Sequence, residues 1–419
     1  MPRNKFTSLA LSALLVALLA PAARGQTGGG SSYSIFNIGD LRTGSTASSL
    51  GRAGVETGVP STSLVNSLNP AGWSDLRLVT LQAALSFDQF QVSNASSKLY
   101  QNSSKLQEFA VALPYSPDHG GTLVFAIRPY STVNYRTRLN RSVASGDSSV
   151  GAVIDYTGHG GISNATVGTS YTPVSWLSIG AAANFYFGSI ENESDVTFPI
   201  AHLNPALYRQ NNLYVGWGFQ GGIHIDPIEN LRIGAAFDGG SNLTHDYTVS
   251  STYTDADSIV VDTTSRSSST FKLPARVTVG ASYLLGRSMI SAQGSVQSWG
   301  TEQFSTARPA SRVAVGYDYL PSRSLNASGL ERWTFRLGAF FENTYYKVGN
   351  GTGINQMGGT LGFRYPIGTA SNVNSSTAFD IGLEIGKRGT TENNLTSELY
   401  GRLGIEFSIG ELWFIRSRR

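Results

Sequence analysis

From Val79 the side chains alternate, with Val79, Leu81, Ala83, Leu85 and Phe87 set against Thr80, Gln82, Ala84, Ser86 and Asp88. A period of two gives a strand two unlike faces. The same alternation runs through Leu177 to Phe187, Leu213 to Ile225 and Leu231 to Asp238. It sharpens near the C-terminus. There Met357, Leu361 and Phe363 oppose Gln356, Thr360 and Arg364, and Phe379, Ile381, Leu383 and Ile385 oppose Asp380, Gly382, Glu384 and Gly386. Leu403, Ile405 and Phe407 then oppose Arg402, Gly404, Glu406 and Ser408. Strands over 77–90, 106–115, 121–135, 159–172, 176–190, 213–226, 230–241, 269–284, 288–299, 310–320, 331–346, 355–366, 376–387 and 396–409 make about fourteen.

A soluble sandwich with one buried face shares this alternation, so the connections decide. Compact ones, Thr172 to Ser175, Asp226 to Asn230 and Leu284 to Arg287, alternate with long polar ones at Ser93 to Lys105, Tyr135 to Gly158, Glu191 to Asn212 and Ser241 to Ser268. Short turns at one end and long loops at the other, with an even strand number, are the habit of transmembrane barrels. The expected fold is all-β: a transmembrane antiparallel β-barrel of about 14 strands with an N-terminal plug or hatch segment, both termini periplasmic. Turns at Pro321 to Leu330 and Pro366 to Ser375 are long for this rule and leave room for a count one hairpin different.

The chain start carries Arg3 and Lys5, the apolar run Leu9 to Ala20, then Pro21 and Ala23-Arg24-Gly25 before Gln26. This is the order of a cleaved export signal, and the run is shorter than the roughly 20 residues a spanning helix needs. The expected organisation is therefore a signal peptide over 1–25, a hatch or plug over 26–75 and a barrel over 76–419, placed in a Gram-negative-type outer membrane. The segment before the first strand holds Leu41, Leu50, Val55, Val59, Leu64, Val65 and Leu68, apolar residues that a disordered tail would not need. Composition agrees with the barrel: 47 glycines, 11% aromatic and only 14% charged residues, against about 25% in soluble domains. With no cysteine, disulfides, Cys-based metal sites and a lipid-bearing Cys are excluded, and a net charge of +3 offers no block for nucleic acid.

Ser49-Leu50-Gly51-Arg52-Ala53-Gly54, followed by Asn66-Ser67-Leu68-Asn69-Pro70-Ala71-Gly72, resembles the hatch signature of FadL-type outer-membrane transporters of fatty acids and other hydrophobic compounds. Leu273-Pro274-Ala275-Arg276 leading into Val279 to Tyr283, Trp299, and the tail Ile405-Glu406-Phe407 through Trp413-Phe414 are similar to the same family, the tail most to its Bacteroidetes-type branch. The resemblance implies a fourteen-stranded barrel with a hatch that binds long-chain fatty acids or other hydrophobic small molecules and releases them sideways through a gap near strand three. That strand contains Pro129, which cannot donate to a ladder and suits such an opening or simply the strand end. Asn69, Pro70, Ala71 and Gly72 shape a turn in the hatch and are candidates for a ligand-responsive latch.

Catalytic chemistry is not evident, so no enzyme, cofactor or metal is expected. The histidines His119, His159, His202, His224 and His245 have no metal-ligand spacing, and no Gly-x-Ser-x-Gly elbow occurs. His224, in register with Gln220 and Asp226, reads as a solvated lumen histidine. Arg336, Glu342, Arg364, Asp380, Glu384, Arg402 and Glu406 point to the lumen with signs alternating between strands. Burial requires such charges to be paired, so a wall-to-plug network is expected, with Arg336, Arg364 or Arg402 as the alternative seat for a ligand carboxylate. Expected partners are hydrophobic small molecules, outer-membrane lipid and the barrel-assembly machinery, the protein being a monomer. A second function of another class is a surface docking or shuttle barrel in protein secretion, through which nothing crosses. A continuous apolar channel would favour transport. A blocked lumen with long ordered loops would favour docking.

Overall fold

The computed structural model describes residues 29–42, 46–94, 97–145, 148–199, 204–255, 258–300, 304–322, 327, 329–348, 351–367, 375–392 and 395–412. The signal-peptide reading of 1–25 and the tail from Trp413 lie outside them. A two-residue strand β1 (Asp40–Leu41) precedes the wall, which comprises β2 (Val79–Ser93), β3 (Lys98–Ser116), β4 (Gly121–Pro129), β5 (Ser131–Ser145), β6 (Ser148–Val174), β7 (Leu177–Thr197), β8 (Ala206–Ile228), β9 (Leu231–Asp255), β10 (Ser258–Leu273), β11 (Arg276–Leu285), β12 (Ser288–Gln297), β13 (Ala310–Tyr319), β14 (Thr334–Val348), β15 (Thr352–Ile367), β16 (Ser375–Gly389) and β17 (Ser397–Glu411). Neighbours pair antiparallel, and β17 pairs with β2 to close the sheet. Since β4 and β5 both pair with β6, and β10 and β11 both with β9, each couple is one interrupted wall strand, and the closed barrel has fourteen.

The wall is inside out relative to a soluble protein. On β2, Leu81, Leu85 and Phe87 are 38, 46 and 42% exposed, whereas Gln82, Ser86 and Asp88 are buried. Lipid receives the apolar face and the lumen the polar one, while closure of the ladder leaves no edge in the hydrocarbon. Two-residue turns at Ser175-Trp176, Glu229-Asn230 and Gly286-Arg287 mark one end, the one expected to face the periplasm.

The long loops expected at the other end are corrected. Tyr135 to Gly158 and Ser241 to Ser268 are the tops of the β5–β6 and β9–β10 hairpins, Ser93 to Lys105 is mostly β2 and β3, and only 198–205 within Glu191 to Asn212 lie between strands. Toward the hairpin tips, over 136–142 and 263–270, both faces of a strand meet water. The contrast of period two is lost there, although Thr, Tyr and Val keep their preference for the pleated sheet.

A line of irregularities crosses one side of the wall. It runs from Tyr130 between β4 and β5, through Gly160 and Gly161 on β6 (φ +108° and +147°), Gly188 on β7 (φ +153°) and Gly240 on β9 (φ +73°), to Pro274-Ala275 between β10 and β11. Glycine is required at Gly188: a Cβ there would lie 2.1 Å from the Gly161 carbonyl oxygen. Above the line, Val133, Tyr135, Ile162, Ile190, Tyr214, Leu243 and Phe271 join Tyr33, Ile38, Trp299, Tyr345 and Tyr346 in a buried core. The upper parts of β5 to β10 thus form a cap over the lumen.

Inside the barrel run residues 29–42 and 46–78, with a 3-10 turn (Ser32–Ile35), β1, a short helix α1 (Ala47–Leu50) capped by Thr46, and a second 3-10 turn (Pro70–Asp75).

Candidate functional site: the lumen and the break in strand three

The Asn69-Pro70-Ala71-Gly72 stretch opens the Pro70–Asp75 turn, with Asn69 as its cap: the side-chain oxygen accepts from the Ala71 amide at 3.0 Å. The Asn69 amide nitrogen donates to the carbonyls of Thr57 and of Ile223 in β8, both at 3.0 Å. Asn69 and Ala71 are fully buried. The close approach depends on a bare wall. A Cβ on Gly222 would fall 1.9 Å from the Asn69 side-chain oxygen, and one on Gly180 would fall 2.3 Å from the Pro70 carbonyl carbon. Gln220 donates to the Leu68 carbonyl at 2.6 Å. His224 is buried, not solvated as expected, with its ring nitrogen 2.7 Å from the Thr57 carbonyl.

The expected lumen charges other than Glu406 come together in ion-paired groups. Asp380 holds Arg336 at 2.5 Å and Arg364 at 2.6 Å; Arg336 also reaches Asp318, which binds Arg52 of the inner segment at 2.8 Å. Arg364 donates to Ser63 and Ser408. Glu342 pairs with Arg312 at 2.6 Å. Glu384 pairs with Arg402 at 3.4 Å, and Arg402 with Asp88 at 2.9 Å. Asp88 is further met by Arg42 and Lys105. Glu406 accepts from the Ser48 amide at 2.9 Å, near the start of α1. A third group joins Arg388 to Asp40 at 2.7 Å and to Glu398 at 3.7 Å, while Glu398 accepts from Ser31 and Ser32. Asp40, Arg42, Asp88, Asp318, Arg388 and Glu398 were not among the sequence candidates. Arg388 and Glu398 continue the even register of Asp380, Glu384, Arg402 and Glu406, so extending that register would have found them.

At strand three, β3 pairs with β4 only as far as Phe109 opposite Ile127. Pro129, the last residue of β4, is still in register with Ser163 of β6. Tyr130 then donates its amide to Ile162 and accepts from the Arg42 amide at 2.9 Å. β5 continues along β6, so the upper part of β3 parts from it. The opening is occupied by the inner segment. Gly29 bridges to Asn102 of β3, the Gly30 amide donates to the Asn134 carbonyl of β5 at 2.8 Å, and β1 pairs with Thr132 and Ser131. Gln297 ties the two interruptions of the wall together, donating to the Tyr130 hydroxyl at 2.8 Å and to the Pro274 carbonyl at 3.0 Å.

Little space remains among these groups. The cavity between Asp40, Arg42, Glu384, Arg388 and Arg402 holds about 40 Å³, and the one beside Arg128, Pro129 and Tyr130 about 20 Å³. Pockets for organic ligands measure about 300–1,000 Å³; these have room for water. Among the described residues an aromatic core lies over the lumen and ion pairs cross its middle.

A model of the BamG family matches residues 8–419. The chain belongs to the BamG family. No curated protein sequence matches it. In fold this BamG-family chain is similar to a FadL homologue of Pseudomonas aeruginosa (TM-score 0.63, 12% identity, 89% of this chain and 99% of the other). It is also similar to the monoaromatic hydrocarbon channel CymD (TM-score 0.58, 12% identity, 88% and 98%) and to the Pseudomonas putida toluene transporter TodX (TM-score 0.56, 13% identity, 90% and 100%). The FadL-type architecture of this BamG-family barrel is thereby established. At these identities the likeness concerns the fold.

Proposed function

We propose that this protein is an outer-membrane docking barrel that works with protein secretion or the barrel-assembly machinery, and that no small molecule crosses it. The observation that carries this reading is the filled lumen. Residues 29–78 act as a plug, the charged groups of wall and plug neutralise one another, and the cap of β5 to β10 closes the outer mouth. Burying this many charges in pairs stabilises one arrangement of wall and plug rather than an open path. The tall hairpins supply ordered surface outside the membrane. The chain works as a monomer in outer-membrane lipid, exported by a signal peptide cleaved near Gly25. Two experiments test the reading. In planar bilayers and liposomes the intact protein should neither conduct ions nor admit a fluorescent fatty acid above protein-free controls, whereas deletion of residues 28–72 should leave a barrel that inserts and conducts. In intact membranes, site-specific cross-linkers on the outer hairpins should trap a component of the secretion or barrel-assembly machinery; failure to do so overturns the docking role.

One observation favours a second reading, passage of hydrophobic compounds such as long-chain fatty acids with lateral release at strand three. The parting of β3 from β5 is bridged by plug residues and by two β3 side chains, Gln101 on the Arg136 carbonyl and Lys105 on the Thr132 hydroxyl, with no backbone ladder between the two strands. Movement of residues 29–42 would open it to lipid, where each methylene gains about 0.8 kcal/mol. In this reading Asn69 to Gly72 are the latch and an arginine such as Arg336, Arg364 or Arg402 meets the carboxylate. Fatty-acid entry through the intact protein would select it. A Bacteroidetes-type origin belongs with either reading.

A further inference from the structure

The periplasmic mouth holds a cup of about 440 Å³, ten times the size of the lumen cavities. Its wall is made by the β6–β7 turn (Ser175, Trp176), the β8–β9 turn (Ile228, Glu229, Asn230) and the start of β12 (Met289), and plug residue Pro60 reaches it from inside. Trp176 and Ile228 are 53 and 61% exposed, although both are large and apolar. The cup is rigid. The Asp226 amide donates to the Trp176 carbonyl and the Leu284 amide to the Asn230 carbonyl, both at 2.9 Å, so backbone bonds lace adjacent turns together. Asn230 takes the left-handed conformation that a two-residue turn demands, with φ +68°.

Among the residues lining the cup, the carboxylates Asp226 and Glu229 outnumber the one cation, Arg232. Arg232 is the cation that lines the cup, and it is already held by Asp226 at 2.7 Å and by Asp75. Glu229 lines the same rim, is exposed, and pairs with no cation among the described residues. An apolar floor inside a net-acidic rim complements an apolar side chain flanked by basic ones, since complementary rims select partners and steer their approach.

We propose that this cup is a periplasmic docking site for a polypeptide segment bearing an apolar anchor flanked by lysine or arginine. The proposal rests on the docking reading above and gives it a second face. The anchor fills the space between Trp176, Ile228 and Met289. Its basic neighbours meet Glu229 and the exposed side of Asp226.

The test uses the full-length mature protein in nanodiscs of zwitterionic lipid, with empty discs as the blank. The probes are two fluorescein-labelled peptides, Lys-Leu-Leu-Lys and Glu-Leu-Leu-Glu, followed by anisotropy. The basic peptide should bind at least about tenfold more tightly than the acidic one. Glu229→Lys should abolish that preference, and Ile228→Asp should weaken both peptides. Both residues are exposed, and heat-modifiable gel mobility checks that each variant is folded. Equal binding of the two peptides, no binding of either, or unchanged binding by folded Glu229→Lys and Ile228→Asp proteins would overturn the proposal. Displacement of the peptide by a short-chain phospholipid, with no dependence on peptide charge, would overturn it in favour of an acyl-chain pocket. Failure of the outer-hairpin cross-linking with peptide selectivity intact would count against the docking partner and not against the cup.

Discussion

The two sides of the barrel wall hold the same plug by different means. The arc from β12 through β17 to β2 has strands of 10–16 residues and holds the plug by ion pairs, Asp318 with Arg52, Arg388 with Asp40 and Asp88 with Arg42, beside neutral bonds from Gln82, Gln293 and Thr360. The arc from β4 to β11 is bent at Tyr130, the φ-positive glycines and Pro274, and carries strands of up to 27 residues. Apart from Arg128 and Arg232, it grips the plug with neutral groups: Gln220 on the Leu68 carbonyl, His224 beside the Thr57 carbonyl, and Asn69 on the Ile223 carbonyl. The difference shows where the structure can yield. Buried ion pairs tolerate only one registry of wall and plug, whereas backbone packed on bare glycine depends on shape.

The largest effect is expected on the charged arc. Asp380→Ala leaves Arg336 and Arg364 buried without their shared carboxylate, a loss on the order of 3–5 kcal/mol. The measurement is the urea midpoint of heat-modifiable mobility in detergent. A midpoint equal to that of the unsubstituted protein would show that the network is dispensable and that the arcs do not differ in this way.

The neutral arc should respond to shape. Gly222→Ala drives a Cβ into the Asn69 side chain and should destabilise by about 1–3 kcal/mol through overpacking. Its neighbour Gly221 has nothing within 4 Å of the added atom, so Gly221→Ala should stay within about 0.5 kcal/mol. The pair separates steric fit from a general effect of glycine removal. Equal midpoints for the two variants would mean that the Asn69-Pro70 turn does not lean on β8.

Particular residues show how far the chain could be read beforehand. Wherever a strand crosses lipid its faces are chemically opposed, and β2, β12, β13 and β16 lie within a few residues of where alternation put them. Fourteen wall strands were legible for the same reason. The tops of β6, β9 and β10 were not, because Ser, Thr and Asn stand on both sides of a strand bathed in water. Nor could alternation show that Tyr130 and Pro274 interrupt strands without ending the barrel, since each break is compensated by a neighbour: β6 runs past the first and β9 past the second. Among the charges, the register identified Arg336, Asp380 and Arg402 as lumen-facing. Arg42, Arg52 and Asp40, which pair with Asp88, Asp318 and Arg388, come from a plug whose path has no period from which to infer it.

The smallest effect is expected at the join of the two arcs, with Pro129→Val. The substitution restores one amide donor to strand three, worth about 1 kcal/mol net at most. Yet the break does not rest on that donor. The β3–β4 ladder already ends at Ile127, Tyr130 is held by the Ile162 carbonyl and the Arg42 amide, and Gly160 and Gly161 accommodate the bend on β6. Residues 29–42 occupy the place where β3 would have to rejoin. The valine protein should therefore fold with a midpoint within about 1 kcal/mol of the original, and on the docking reading fatty-acid entry should remain at the protein-free level in both. If hydrophobic compounds instead leave at strand three, the original protein passes the fluorescent fatty acid and Pro129→Val passes less of it while its heat-modifiable mobility is unchanged. That result would move the function from the outer hairpins to the opening beside Pro129, and make the neutral, bent arc the working side of the barrel.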